Sequence, residues 1–389
     1  MRLLGDLGEW MGRRFGRGHG LGLLLLGHNK LRLALGAASV AFGVTVMVVE
    51  IALLSGVLDS QAMIATLVRG DLVVMSAARS DLHRWNTLDK IRLSQIAAVP
   101  GVARAIPVYE GHVGLKSPDD NRVRRIIVYA VPPDDMPLAL GGNPDAARLL
   151  KFSHGFLYDT RSRAIFGHIQ PGQQIEIDKA PLTVLGTVTI GPDMVNDGAI
   201  VMSEGDWRAR QPDAQPIMGV IRLDPGADAG AIAETIRNAL PADVTVMTPA
   251  ELRSRENSAT LKAAPIGILF MVGALAGLVI GAMNCYQLMF NEVSDHVPQY
   301  ATLKAMGFSD DFLRRVILEQ AVLLALAGFV LGLCFSFFAD VLMTWTTGLP
   351  VGISVLAGLL IWLLTAGMCI LAGWMAVRRM AVADPAALY

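Results

Sequence analysis

Four stretches of this chain are each long and apolar enough to cross a bilayer: residues 33–58, 265–289, 316–342 and 351–377. A transmembrane helix needs roughly 20 apolar residues to span about 30 Å of hydrocarbon. The first run is broken only by Glu50, and the second and fourth carry no charge. Some two hundred more polar residues, 59–264, separate the first run from the other three. This pattern predicts an α-helical membrane protein with four transmembrane helices in a one-plus-three arrangement. A large α+β extracytoplasmic domain is expected between the first and second. The composition agrees: 53% of the 389 residues are hydrophobic and 17% charged, against about a quarter charged in soluble domains.

Basic residues set the orientation. Arg2, Arg13, Arg14, Arg17, Lys30 and Arg32 precede the first span, Lys304, Arg314 and Arg315 lie between the second and third, and Arg378 and Arg379 follow the fourth. The connection TWTTGLP between the third and fourth has none. The positive-inside rule therefore places both termini in the cytoplasm and the large domain outside the membrane on the opposite face. The first apolar run is too long for a cleaved signal peptide and reads as an anchor. Glu50, Glu319 and Asp340 fall near span ends, where solvation or snorkelling accounts for them. The net charge of −1 gives no electrostatic case for nucleic acid, so membrane lipids are the expected surroundings.

Spacing within the spans points to close packing. Gly273, Gly277 and Gly281 form a stripe on the second span, and Gly328 and Gly332 repeat it on the third. Small residues at this spacing let helix backbones approach in lipid, where packing drives association. Cys285, Cys334 and Cys369 all lie inside apolar runs and read as buried small apolar residues, so the outer domain must fold without disulfides.

Within the outer domain, GDLVVMS, LSQIAAVPGVARAIPVY and RRIIVYAV read as strand, helix–turn–strand and strand, ending at Pro132 and Pro133. GVIRLDPGADAGAIAETIRNALPADVTVMT repeats strand, helix, strand. Two halves, 59–136 and 213–248, are expected to close one α+β unit around an inserted, mostly β lobe at 137–212. In that lobe GQQIEIDKAPLTVLGTVTI alternates around a tight turn near Asp178, and Ser203 is placed to cap a helix. Thr248 and Glu251 form a capping box with Pro249 at the first helical position. The polar helix they open, 249–264, with Glu251, Arg253, Arg255, Glu256 and Lys262 along it, is expected to run into the second span as a stiff stalk.

No catalytic residues are assigned. His83, His112, His154, His168 and His296 are scattered without a metal-ligand spacing, and there is no GxxxxGK[ST] to hold ATP phosphates. No metal or cofactor is expected on this chain.

The cytoplasmic connection, 290–315, is the most informative stretch. Pro298 can start a helix and Gly307 end one. Between them Tyr300, Leu303 and Met306 recur every third residue, with Lys304 at one edge. Ser309 is placed to cap the next helix, with Asp310 and Asp311 in its first turn. One apolar turn with a single Lys is poor membrane glue, so a knob docking into a groove of another protein is the favoured reading.

The segment VSDHVPQYATLKAMGFSDDFL, followed by ILEQAVLLALAGFVLG, resembles the coupling-helix region of ABC permeases of the MacB/FtsX superfamily, and is especially similar to the DevC group. NKLRLALGAASVAFGVTVMV, GDLVVMS and RRMAVADPAAL are similar to that group too, so the resemblance covers nearly the whole chain. Asp295 and His296 make the segment acidic where most MacB-type permeases are basic, which favours DevC. The resemblance implies a homodimer working with two copies of a separate ATPase that binds ATP and Mg. It also implies a periplasmic adaptor (membrane fusion) protein and a TolC-like outer-membrane channel. In such permeases ATP-driven closure moves the coupling helix and stalks, and the outer domains push a lipid-like or amphiphilic cargo onward. Pro298, Tyr300, Leu303, Lys304, Met306 and Gly307 would then meet the ATPase. Alternatives in the same superfamily are a signalling permease like FtsX, which activates a cell-wall hydrolase, and a lipoprotein-releasing permease like LolC. An enzyme is the remaining class, and no residue constellation supports it.

Overall fold

The computed structural model describes residues 30–79, 81–82, 86–152, 154–263, 265–295, 297, 310–347 and 352–381. It divides into two compact units, one holding the long apolar helices and the other holding Gly56–Pro265 with Met343–Pro350.

The helical unit contains α1 (Lys30–Gln61), α8 (Ile266–Asp295), α9 (Asp310–Thr347) and α10 (Val355–Ala381). All four contain spans long and apolar enough to cross a membrane. The helices overrun the apolar boundaries expected at 58, 289, 342 and 377. Hydropathy marks where lipid ends, whereas a helix continues until a breaker stops it. NEVSD contains no breaker, and α8 therefore reaches Asp295. Likewise α9 extends into the expected 343–350 loop, as far as Thr347. The last helix begins at Val355 rather than 351, because Ser354 caps it: its Oγ accepts from the Ala357 amide at 3.2 Å.

The centre of this unit is made by α1. Its Ala37, Val40, Val44, Met47 and Val48 are buried with Cys285 and Met289 of α8, Ala321, Leu324 and Ala325 of α9, and Ile361, Cys369 and Ala372 of α10. Cys285 and Cys369 are buried, as their apolar setting predicts. Cys334 is not; it is exposed on α9 among outward apolar residues such as Phe335, since hydropathy cannot say which face of a membrane helix meets protein.

The second unit begins as α1 ends, with α2 (Met63–Leu67) and then β1 (Leu72–Ser76), α3 (Lys90–Ala97) and β2 (Val102–Lys116). Near its close come β8 (Met218–Leu223), α6 (Ala229–Ala239) and β9 (Val244–Met247). Asp89 and Asp228 cap the two helices, each carboxylate accepting an amide two residues on at 2.9 Å. The strands pair in the order β2–β8–β1–β9, all antiparallel. Two strand–helix–strand pieces interleaved in this way form a split βαβ sheet of ferredoxin-like topology. Alternation along β1 serves two cores: Leu72 and Val74 face α3 and α6, while Val73 and Met75 face the other layer.

Between β2 and β8 the chain builds β3 (Val123–Val131), α4 (Ala146–Leu149), β4 (Gly155–Asp159), β5 (Gln174–Ile177), β6 (Ala180–Val188), β7 (Ala199–Ser203) and α5 (Glu204–Arg210). Their pairing runs β3–β7–β4–β6–β5–β2, and β2 also pairs β3, closing a six-stranded ring. The expected division at residue 137 is therefore corrected. β3 and the second half of β2 belong to the barrel rather than to the first half-domain, because barrel closure pairs β2 with both β3 and β5. Thus β2 is shared: Val102–Val108 pair β8, and Tyr109–Lys116 pair β3. The β5–β6 turn consists of Asp178 and Lys179, both at positive φ (48° and 68°), which suits the right-handed twist of a hairpin. Ser203 caps α5 by accepting from the Asp206 amide at 3.0 Å.

The barrel interior is filled by side chains including Val113, Ile126, Val128, Phe156, Phe166, Ile200 and Trp207. Trp207, from α5, lies against Gly111 of β2, where a Cβ would strike its ring. Gly111→Val should therefore cost about 1–3 kcal/mol by overpacking and lower the melting temperature of the purified full-length protein by several degrees. Gly205→Ala, at the start of α5, where a Cβ would stand at an ordinary 3.9 Å from Ser203 Oγ, should not lower it. Equal melting temperatures for the two variants would contradict the packing described.

Candidate functional site

The stalk helix α7 (Pro249–Ala263) starts as the residue types require. Glu251 Oε2 accepts from the Thr248 amide at 2.7 Å, and Thr248 Oγ1 accepts from the Glu251 amide at 3.2 Å, closing a reciprocal capping box. The helix ends at Ala263 and α8 opens at Ile266, so no uninterrupted rod runs from 249 into the second span. Pro265 is the physical reason, since it has no amide hydrogen to donate to a preceding turn.

The lower part of α7 is not a free rod. Leu252 is fully buried in the core shared by β1, β8 and the barrel wall. One turn on, Glu256 is 1% exposed, and both its carboxylate oxygens accept from the Leu82 amide at 3.0 Å. Beside it Arg79 is also 1% exposed. Arg79 donates to the carbonyls of Asp81 at 3.0 Å, Asn86 at 2.8 Å and Leu82, and lies 3.9 Å from Glu110 of β2. Burial pulls the Arg79 pKa down, while Glu110, Glu256 and Asp81 oppose that pull. Arginine remains a cation at physiological pH, so this is a buried charge compensated from three elements: the segment after β1, strand β2 and the stalk. Arg255 adds a bond to the Arg79 carbonyl at 2.5 Å. Above Glu110, Tyr129 is buried and its pKa raised, by desolvation first and then by Glu110 and Asp193.

The remaining stalk residues are exposed. Arg253 meets Asp59 at 2.7 Å, both about half exposed, and Lys262 is exposed. Of the five stalk residues picked from sequence, Glu256 and Arg255 join the buried cluster, Glu251 caps, Arg253 makes a surface pair and Lys262 lies at the surface. Arg79, Leu82 and Glu110 were not picked. Their partners are distant in sequence (174 residues from Leu82 to Glu256), and nothing local marks them.

The glycine stripes meet α1. A Cβ on Gly277 would stand 3.0 Å from Val46 and 3.1 Å from the Gly43 carbonyl. A Cβ on Gly273 would meet the Glu50 carboxyl at 2.5 Å, and one on Gly281 would meet Met368 of α10 at 3.0 Å. On the other side, Gly328 faces Val40 and Gly332 faces Val44. Thr45 Oγ1 bonds the Ala41 carbonyl at 2.8 Å and reaches the Gly332 carbonyl at 3.3 Å. Both stripes therefore grip the first span, the partner that spacing alone left open.

Pro298, Tyr300, Leu303, Lys304, Met306 and Gly307 lie outside the described residues. Among the described residues no group of three or more His, Cys, Asp and Glu could hold a metal.

Two family models match the chain. One, described as MacB-like periplasmic core domain, covers residues 33–239, more than half of the chain; the other, FtsX-like permease C-terminal, covers 269–385. No curated protein matches. Among solved structures, the chain is similar to the periplasmic region of MacB from Actinobacillus actinomycetemcomitans, at 10% identity over 48% of this chain and 92% of that one, with a TM-score of 0.37. It is similar to the extracellular domain of the noncanonic ABC-type transporter YknZ from Gram-positive bacteria, at 10% identity over 46% and 98%, with a TM-score of 0.33. A domain of a putative permease protein from Porphyromonas gingivalis is similar at 14% identity over 38% and 71%, with a TM-score of 0.27.

The two kinds of stalk contact differ in what they contribute. Glu256→Ala removes one partner from a buried charge cluster and should cost about 3–5 kcal/mol. Arg253→Ala breaks a solvent-exposed pair and should cost about 1 kcal/mol or less. Thermal unfolding of the two full-length variants would separate these values; a similar small loss for both would refute the anchored stalk.

Proposed function

The chain belongs to the MacB/FtsX superfamily of ABC-transporter permeases, and from that premise we propose that it transmits ATP-driven motion from a separate ATPase to its periplasmic domain. In this reading it is a permease of the mechanical kind, and the work is done outside the membrane on a lipid-like or amphiphilic cargo. Two copies of the permease would pair with two copies of the ATPase, which binds the ATP and Mg. A periplasmic adaptor and a TolC-like channel would carry the cargo onward. The sequence similarity to the DevC group favours an exporter over a signalling permease or a lipoprotein-releasing one.

The observation that carries this reading is the anchoring of α7. The helix that precedes the second span in the chain is fastened by Leu252 and Glu256 into the core of the outer domain. Displacement of α7 along or about its axis must either break the Glu256–Leu82 bonds or carry the Arg79 segment with it. That segment contacts Glu110, on the strand that belongs to both the split βαβ sheet and the barrel. Force reaching the stalk base is thus delivered to the junction of the two outer lobes. At the other end, 298–307 is the segment through which the ATPase would push, with Tyr300, Leu303 and Met306 seated in its groove. Such anchors typically carry 1 kcal/mol or more each at an interface.

Replacing Leu303 and Met306 together by Ala should weaken ATPase capture on the permease by roughly ten- to a hundredfold. Export should be abolished, while the amount of permease in the membrane stays as in the parent. Co-purification and a transport assay in the same cells read both. Unimpaired transport in the double variant would remove the docking role from this segment.

A further inference from the structure

A cavity of about 20 Å³ lies inside the outer unit, which takes in Gly56–Pro265. One water needs roughly 10–15 Å³, so the space admits one and little more. Its polar lining comes from parts of the chain far apart in sequence: Ser60 and Gln61 at the close of α1, Glu110 on β2, Tyr129 on β3, and Asp193 and Asn196 in the loop between β6 and β7. Most of these groups are already engaged. Ser60 Oγ donates to the Val57 carbonyl at 2.8 Å. Asp193 Oδ1 accepts from the amides of Val195 at 2.6 Å and Asn196 at 2.7 Å, and its Oδ2 accepts from Asn196 Nδ2 at 3.0 Å. Asn196 Oδ1 lies 2.9 Å from His112 Nε2, and Glu110 lies 3.9 Å from Arg79.

Gln61 and Tyr129 are different. They are 8% and 5% exposed, and neither side chain has a hydrogen-bond partner among the described residues. Buried polar groups are nearly always bonded, and leaving one bare costs more than a made bond returns. An apolar cavity of this size would stay dry, whereas one into which a phenol and an amide project calls for a guest. Burial, with Glu110 and Asp193 nearby, holds the Tyr129 pKa well above its ordinary value, so the hydroxyl keeps its proton as a donor. Gln61 offers both a donor and an acceptor, and the Glu110 carboxylate only accepts. A water matches this set, accepting from the phenol and donating to the carboxylate. A monovalent cation of similar size does not, because it meets the phenol proton and lies near the Arg79 guanidinium.

We propose that this cavity is a hydration site whose single water accepts from Tyr129, bonds the Gln61 amide and donates to Glu110. Gln61 closes α1, and Glu110 lies where β2 passes from the split βαβ sheet to the barrel. The water therefore ties the end of α1 to the same junction that the stalk reaches through Glu256 and Arg79. This link is made by one exchangeable molecule rather than by packed side chains, so it can break and re-form as the junction moves. It rests on the outer unit alone and is independent of the export reading.

The test is radiolytic footprinting of the full-length protein. An X-ray pulse cleaves water, bound water included, and the hydroxyl radicals oxidise the nearest side chains, which mass spectrometry counts. Tyr129 should be labelled at least about fivefold faster than Tyr158. Tyr158 is as buried, at 7% exposed, but pairs with Ser162 and does not line the cavity. Ala199→Val adds bulk at the cavity wall, and Gln61→Met removes the amide at similar length. In both, the Tyr129 rate should fall to that of Tyr158, with melting temperatures confirming that the variants are folded. Equal rates for the two tyrosines in the parent would overturn the proposal, whatever the variants do. An unchanged Tyr129 rate in both variants would trace the radicals to bulk solvent and overturn it too. So would a Tyr129 rate that rises when sodium is replaced by choline, which would assign the space to a cation.

Discussion

A buried guanidinium organises the outer unit. Arg79 sits in the segment just after β1, with 1% of its side chain reaching solvent. A charge there is tolerable only if several groups compensate it, because desolvation alone would cost several kcal/mol. The compensation comes from backbone carbonyls of its own segment, from Glu110 on β2 and from Glu256 on the stalk. Three elements that the chain visits far apart are thereby held to one point. Removing any partner leaves the cation exposed to a low-dielectric interior, so the arrangement favours moving together over moving apart.

Strand β2 gives that point its reach. Its first half completes the split βαβ sheet against β8, and its second half closes the barrel against β3 and β5. Glu110 lies next to the handover between Val108 and Tyr109. Sheet and barrel share a core through residues such as Val73, Val108, Tyr129, Val201 and Val220, while each keeps a second core of its own. This is why β1, β7 and the second part of β3, Ile126–Val131, are buried on both faces and appear in the sequence as largely apolar runs. In the helical unit the corresponding economy is α1, which offers Gly43 and Val46 to one glycine stripe and Val40 and Val44 to another. Backbone contact at these positions lets one helix serve two neighbours without large side chains between them.

How much was legible depended on how far apart the interacting residues lie. The Thr248–Glu251 capping box, the cap at Ser203, the turn near Asp178 and the four spans are all written within a few residues or by composition. Each stands in the structure where the pattern indicates. The inserted lobe was recognisable as β-rich, yet its closure into a barrel was not, because β2 meets both β3 and β5 and takes β3 away from its apparent half-domain. Pro265 was present to be read as the end of the stalk helix, but the polar pattern of α7 running up to an apolar helix suggested continuity. Cys334 was misplaced because a membrane helix is apolar towards lipid and protein alike.

The sequence by itself determined the membrane class, the one-plus-three arrangement, the superfamily, the capped helix starts at Ser203 and Thr248, and the existence of a packing stripe on the second and third spans. These follow from hydropathy, local hydrogen bonding and steric size, which act within a turn or two of the chain. Tertiary structure alone decided that Glu256 is the buried one of the charged stalk residues, that Arg79 and Glu110 complete its setting, and that α1 is what the stripes grip. The physical reason is the same in each case. Burial and charge compensation are properties of a place in space, and residues separated by up to 174 positions reach that place only when the whole fold brings them there.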